Sequence, residues 1–162
     1  MLLYHGTSMN FDIPSLEKCK PHRDFGRGFY LATNYFDALP MAIKNSYHGV
    51  VQIYELDDIS DLNVLVLDGY SDEWLSFVVR SRLGASSDYD IVIGNMAAGG
   101  ANLKAKFTKF RANGVAADKV AAIMIDELTT TILGIQYALL TPAALSKLRL
   151  IDTEIIERED AV

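Results

Sequence analysis

Two short stretches of the chain carry residue types suited to holding a small polar ligand. The first is Leu3-Tyr4-His5-Gly6-Thr7, and the second runs from Asp24 to Thr33 with the sequence Asp-Phe-Gly-Arg-Gly-Phe-Tyr-Leu-Ala-Thr. Glycines on both sides of Arg27 predict a tight loop whose main chain can approach a ligand, as in many nucleotide sites. The alternating run that follows predicts a strand, with Phe29 directed into the core and Tyr30 directed towards a cleft.

A third residue completes a resemblance to a known superfamily. The His-Gly-Thr motif and the Gly-Arg-Gly-Phe-Tyr motif resemble those of ADP-ribosyltransferases, in the His-Tyr-Glu branch of poly-ADP-ribose polymerases and diphtheria-like toxins. The third triad position best matches Gln136, in a strand predicted over Ile132 to Leu140. The chain also resembles a little-characterised bacterial family in that superfamily, which has Gln at this position and an Asp-Phe-Gly-x-Gly-Phe-Tyr signature.

The resemblance implies that NAD is the substrate and that no metal takes part. The residues expected to contact NAD are His5, Gly6, Thr7, Arg27, Gly28, Tyr30 and Thr33. His5 would bond the adenosine ribose, Gly6 would bond the nicotinamide carboxamide through its main chain, and Arg27 would meet the pyrophosphate. Tyr30 would stack on the nicotinamide ring and Gln136 would hold the hydroxyls of the nicotinamide ribose, which makes Tyr30 and Gln136 the expected catalytic pair.

The departures from the superfamily pattern restrict the expected chemistry. A glutamine can orient a ribose by hydrogen bonds but supplies no negative charge and no base, so mono-ADP-ribosylation or slow NAD hydrolysis is expected in place of chain growth. Three carboxylates are candidates for the missing charge: Asp24, Asp126 and Glu127. The second tyrosine that sandwiches nicotinamide in the polymerases would fall near Met41, with Tyr35 as a weak substitute.

Two other function classes stay open on the sequence alone. A module that binds NAD, a nucleotide or a partner without turnover would explain the glutamine and the absent second tyrosine. A metal-independent nuclease that uses His5 and His22 as acid and base is the other alternative, although it leaves the glycine–arginine loop without a purpose.

Composition bounds the organisation and the partners of the protein. The chain has 162 residues, half of them hydrophobic, and predicts a single domain over residues 1–156 followed by a charged tail over 157–162. A net charge of −6 makes a protein target the expectation, while a basic helix face with Lys104, Lys106, Lys109 and Arg111 keeps nucleic acid as an alternative.

One cysteine, with no export signal and no membrane-spanning run, predicts a cytoplasmic protein. Its small format resembles toxins or effectors, which implies delivery to another cell or a cognate antitoxin.

The elements that must position these residues predict an α+β fold. The resemblance implies two small, mainly antiparallel sheets around an NAD cleft with flanking helices. Hydrophobic patterns predict strands over 50–56, 63–67, 89–93 and 148–156 and helices over 71–83, 102–111 and 118–128. Ser71 is the expected N-cap of the first of these helices, and Thr141 followed by Pro142 predicts another helix start. A helix over 34–45 is expected to start late or kink at Pro40.

Overall fold

The computed structural model of the chain describes residues 1–44, 46–98, 103–128 and 133–157. The strands are β1 (Leu2–Thr7), β2 (Phe29–Ala32), β3 (His48–Leu56), β4 (Val64–Val66), β5 (Ile91–Asn95), β6 (Ile135–Leu139) and β7 (Leu148–Glu157). The α-helices are α1 (Tyr35–Ile43), α2 (Asp72–Arg82), α3 (Leu103–Ala112), α4 (Ala117–Leu128) and α5 (Pro142–Leu145). This content confirms the α+β class. No helix in these four ranges is both long and apolar enough to cross a membrane.

The strands form one mixed sheet in the order β4-β5-β6-β2-β1-β3-β7. All neighbours are antiparallel except β4 and β5, which are parallel and are connected through α2. The prediction of two sheets is therefore wrong. Its physical reason lies at the centre, where the ladder between β1 and β2 joins the two halves of the sheet through the partners Tyr4 and Ala32.

Each face of the sheet carries a separate part of the core. Leu3, Phe29 and Leu139 pack with Tyr54 on one face, which the loop containing Phe11 also covers. On the other face, Trp74 and its neighbours on α2 pack against Phe25 and Ala138. We call these the Leu3 face and the Trp74 face.

Helix α1 approaches the sheet through glycines. A Cβ atom on Gly6 would lie 1.9 Å from the carbonyl oxygen of Ala38, and one on Gly49 would lie 2.3 Å from that of Ala42. Both alanines are buried. Gly6 of the His-Gly-Thr motif therefore has a packing role, independent of any ligand.

The predicted helix starts are confirmed, with one exception in α1. Ser71 accepts a hydrogen bond from the Trp74 N–H, and Thr141 accepts one from Ala144. Asn34 caps α1 by accepting from Phe36, so this helix begins at once and runs through Pro40. Of the two expected effects of Pro40, the late start is wrong, because the close packing of α1 on β1 and β3 outweighs the hydrogen bond that proline cannot donate. A kink at Pro40 stays a prediction.

Candidate functional site

His5 lies where β1 and β2 stop pairing. Its Nδ1 is 2.7 Å from the carbonyl oxygen of Tyr30 on β2. His5 and Leu31 would be the next pair after Tyr4 and Ala32, and Gly6 and Tyr30 the next hydrogen-bonded pair, but the ladder ends before both. A side chain thus bridges two strands at the point where their main chains separate.

The surroundings of His5 fix its charge and its tautomer. The ring lies 4.2 Å from the ring of Phe29, and burial lowers the pKa of His5 from 6.5 to about 4, so it is neutral at pH 7. A carbonyl oxygen only accepts hydrogen bonds, which places the single ring proton on Nδ1. Nε2 of His5 is then left with a lone pair that can accept a hydrogen bond from a hydroxyl.

The Tyr30 hydroxyl is hydrogen-bonded to the main chain of the glycine–arginine loop at two points. Its hydroxyl accepts from the Phe25 N–H at 2.8 Å and donates to the Gly26 carbonyl at 2.8 Å. Burial, and then the charge of Asp24, raise the pKa of Tyr30 above its usual range, so the hydroxyl stays protonated. The phenol therefore acts as a clamp on the loop, and its ring packs on the Trp74-face core.

Gln136 is bonded to a carboxylate. Its side chain is buried, with the residue only 7% exposed, and Nε2 donates to Oδ2 of Asp24 at 2.9 Å. Oδ1 of Asp24 accepts from both Nε and Nη2 of Arg82, at 3.0 and 2.6 Å. The main-chain N–H of Ala97 also donates to Oδ2, at 3.1 Å. Among the described side chains of the three candidate carboxylates, Asp24 is thus the one for which the structure gives a contact with Gln136.

Asp24 has no capacity left to act as a base. A carboxylate has about four lone-pair positions, and Asp24 accepts four hydrogen bonds. Arg82 also neutralises its charge in an ion pair whose side chains are 14% and 16% exposed. Asp126 is exposed on α4, and the side chain of Glu127 lies outside the described residues.

The side chains of the predicted site residues lie on both faces of the sheet. Cross-strand partners share a face, so Tyr4, Ala32 and Gln136 lie on the Trp74 face, and Tyr30, two residues from Ala32, joins them. His5 follows Tyr4 and therefore lies on the Leu3 face. The side chains of His5 and Gln136 therefore lie on opposite faces of the sheet.

The other residues of the two motifs have structural contacts of their own. The Thr7 hydroxyl accepts from the Met9 N–H, and the Thr33 hydroxyl donates to the Ile135 carbonyl. Gly28 is buried, and a Cβ there would lie 2.6 Å from a methyl of Leu140. Arg27 is exposed beside Gly26, whose φ of +96° requires glycine.

Several residues that the sequence indicated as candidates are exposed or have contacts away from His5, Tyr30 and Gln136. Tyr35 donates to Glu154 on β7, Met41 is exposed, and Nδ1 of His22 is 3.2 Å from the Arg82 carbonyl at the end of α2. On the basic face of α3, Lys109 and Arg111 are exposed. The side chains of Lys104 and Lys106 lie outside the described residues. Among the residues that the structure describes, no cluster of three metal-binding side chains occurs.

Arg82 is the site residue that the sequence did not indicate. It lies 58 positions from Asp24, in the last turn of a helix, where a cation is expected for its effect on the helix dipole alone. The one local signal was the position of Asp24 at the head of the glycine motif. The partner of that carboxylate follows only from the fold.

Comparison with known proteins identifies a family and no activity. A family model described as "Protein of unknown function (DUF3990)" matches residues 1–150. No curated protein and no solved structure matches the chain.

Proposed function

The chain belongs to the DUF3990 family, and from the geometry of its site we propose that it is an NAD-dependent mono-ADP-ribosyltransferase. The substrate is NAD, and the acceptor is a protein, with a nucleic acid as the alternative. The match over residues 1–150 is consistent with the little-characterised family that the Asp-Phe-Gly-x-Gly-Phe-Tyr signature resembles. The link from that family to ADP-ribosyltransferases remains part of the proposal.

One observation carries it: His5 bridges to Tyr30 at the point where β1 and β2 separate. The bridge leaves Nε2 of His5 as a hydrogen-bond acceptor, which is the group needed to hold a ribose hydroxyl. It also places the main chain of Gly6 beside the same opening. The motifs thus meet at one place, although 25 residues separate His5 from Tyr30.

The proposed reaction is a substitution at C1′ of the nicotinamide ribose. The bond between C1′ and the nicotinamide nitrogen breaks, and its electron pair leaves with neutral nicotinamide. An acceptor nucleophile supplies an electron pair to C1′ and loses its proton to solvent. His5 and Gln136 hold the two riboses, while the loop clamped by Tyr30 limits access of water. This is catalysis by orientation, which supplies a large share of many rate enhancements.

A binding module without turnover is the second candidate, and the environment of Gln136 favours it. The NH2 group of the Gln136 amide is bonded to Asp24, and the charge of Asp24 is neutralised by Arg82. Neither group offers a free carboxylate to a ribosyl cation. By contrast, His5 and His22 have separate hydrogen-bond partners, so no described contact favours the nuclease alternative.

NAD labelled in its nicotinamide ring separates these candidates. We expect the purified protein to release nicotinamide and Gln136→Ala to lower turnover more than NAD affinity. Tyr30→Ala should lower both, because the loop then loses the ring that packs on the core and the hydroxyl that holds it. Tyr30→Phe keeps the ring and removes only the loop clamp. The control is His48→Ala, which removes an exposed histidine paired with Glu157. Binding without release would support the module, and equal activity of wild type, Gln136→Ala and Tyr30→Ala would place the site elsewhere.

The acceptor is identified with NAD labelled in the adenine ring. Lysate proteins and nucleic acids are separated after exposure to enzyme and NAD, and adducts are located by mass spectrometry. We expect label on protein, because the net charge of −6 opposes binding to a polyanion. An adduct on DNA or RNA alone would overturn this choice. A cytoplasmic site of action, delivery to another cell and a neutralising partner are further parts of the proposal.

A further inference from the structure

The Asp24 carboxylate holds the Gln136 amide in one orientation. Nε2 of Gln136 lies 2.9 Å from Oδ2 of Asp24. An ionised carboxylate only accepts hydrogen bonds, so the amide nitrogen must face Asp24 and the amide oxygen, Oε1, must face away from it. The charge of Asp24 therefore decides which end of the amide is presented elsewhere.

Asp24 is itself fixed from two further directions. Arg82, at the end of α2, donates twice to Oδ1, and the main chain of Ala97, just after β5, donates to Oδ2. Asp24 comes from the glycine–arginine loop and Gln136 from β6. Four parts of the chain thus converge on one carboxylate, and Arg82 offsets the cost of burying its charge.

We propose that Asp24 is a positioning residue of the transfer reaction, which directs Oε1 of Gln136 towards the hydroxyls of the nicotinamide ribose. This inference rests on the proposed function. Oε1 would accept a hydrogen bond from a ribose hydroxyl and place partial negative charge beside the developing ribosyl cation. A reversed amide would present its positive NH2 end there and disfavour the same transition state.

The same contact explains why a neutral residue stands at position 136. A glutamate there would place a second carboxylate against Asp24 at hydrogen-bond distance, and two like charges so close destabilise each other. Glutamine avoids this repulsion and gains an N–H donor for Asp24. The site thus combines one carboxylate that orients with one amide that contacts the substrate.

The orientation is testable without any turnover. The chain contains two glutamines, Gln52 and Gln136, so protein labelled with 15N in the glutamine side-chain amide gives two NH2 signals in an NMR spectrum. Gln52 is the internal reference, because its Nε2 donates to the Phe11 carbonyl instead. We expect the Gln136 signal alone to shift and exchange faster in Asp24→Asn. It should stay protected when NAD binds the wild type, because NAD would use Oε1.

Kinetics then test the consequence for catalysis. In Asp24→Asn the new amide can either accept from Gln136 or donate to it, so both orientations of Gln136 become accessible. We expect kcat to fall on the order of 10- to 100-fold with KM for NAD little changed. Asp90→Asn is the matched control, because the Asp90 carboxylate, like that of Asp24, accepts hydrogen bonds from a side chain and from a main-chain N–H. Its donors are the Thr141 hydroxyl and the Asn63 N–H. The kcat of Asp90→Asn should equal that of wild type.

The double variant Asp24→Asn/Gln136→Glu exchanges the carboxylate and the amide and keeps one donor and one acceptor between the two positions, although Arg82 and the Ala97 N–H lose an acceptor. We expect kcat to rise above that of Asp24→Asn, whereas a pair with a purely structural role would show no such gain. Unchanged kcat in Asp24→Asn, or loss of Gln136 protection when NAD binds, would overturn the inference and leave the proposed function standing. Absence of both NAD binding and nicotinamide release in wild type would overturn both.

Discussion

Neutral His5 makes the stability of the protein depend on pH. Burial lowers its pKa to about 4, while the unfolded chain titrates near 6.5. Between these values the unfolded state binds a proton that the folded state does not, so stability falls as pH falls through this window. Urea unfolding should show that, from pH 7.5 to pH 4.5, the free energy of unfolding falls by about 2–3 kcal/mol more in wild type than in His5→Phe. A His5→Phe slope equal to that of wild type would contradict the assignment.

In Gln136→Glu, the rate of nicotinamide release should depend on pH through the new carboxyl group. The new carboxyl faces Asp24, and the like charge raises its pKa, so it is neutral at low pH and ionises as pH rises. If charge at this position helps cleavage, nicotinamide release should increase with pH in a pH–rate profile. Adding Asp24→Asn removes the repulsion and should move the rise to lower pH. A flat profile in Gln136→Glu would mean that charge at position 136 does not aid the reaction.

At the residue scale, the sequence predicted which side chains matter better than what they contact. The motif order singled out His5, Tyr30 and Gln136, and all three have specific hydrogen bonds in the structure. His5 and Tyr30 bond main-chain groups, and Gln136 bonds Asp24, which in turn pairs with Arg82, 58 positions away along the chain. Such partners carry no local pattern, because only the assembled sheet brings β2, β6 and α2 together.

At the element scale, the glycines under α1 carry a measurable share of the stability. A methyl group on Gly6 would meet a backbone oxygen of α1 at 1.9 Å, which no rotation of a side chain can relieve. We expect Gly6→Ala to destabilise the protein by about 3 kcal/mol in urea unfolding. Gly114→Ala is the control, because Gly114 has φ of +77° and no neighbour near its missing Cβ. It should cost only about 1–2 kcal/mol. A smaller loss for Gly6→Ala than for Gly114→Ala would contradict the close approach of α1.

Element boundaries followed the sequence where a capping residue marked them. Ser71 and Thr141 accept the expected N–H groups, because capping depends on neighbours in sequence. The effect of Pro40 was not predictable in the same way. Whether a helix tolerates a proline depends on what packs against it, and that is decided by β1 and β3.

At the scale of the whole molecule, the number of sheets depended on a single residue pair. The sequence predicted two small sheets around a cleft, and the structure joins β6-β2 to β1-β3 through Tyr4 and Ala32. The pattern of either strand does not show whether one such pair forms, because both strands are short, with six and four residues. Beyond this pair, the hydrogen bond between His5 and the Tyr30 carbonyl takes the place of the ladder.

This join predicts an unusual pattern of amide exchange along β1. Met1 and Leu56 exchange both main-chain hydrogen bonds, and alternation along the antiparallel ladder then directs the N–H groups of His5 and Thr7 towards β3 and that of Gly6 towards β2. Because the β1–β2 ladder ends before Gly6, its N–H should exchange with solvent faster than its two neighbours. Hydrogen exchange followed by NMR measures all three. NAD should slow exchange at Gly6 if its main chain bonds the nicotinamide carboxamide, and the amides of β7 serve as the control. Protection of Gly6 equal to that of His5 without ligand would mean that β1 and β2 do not separate there, and the proposed site would lose its opening.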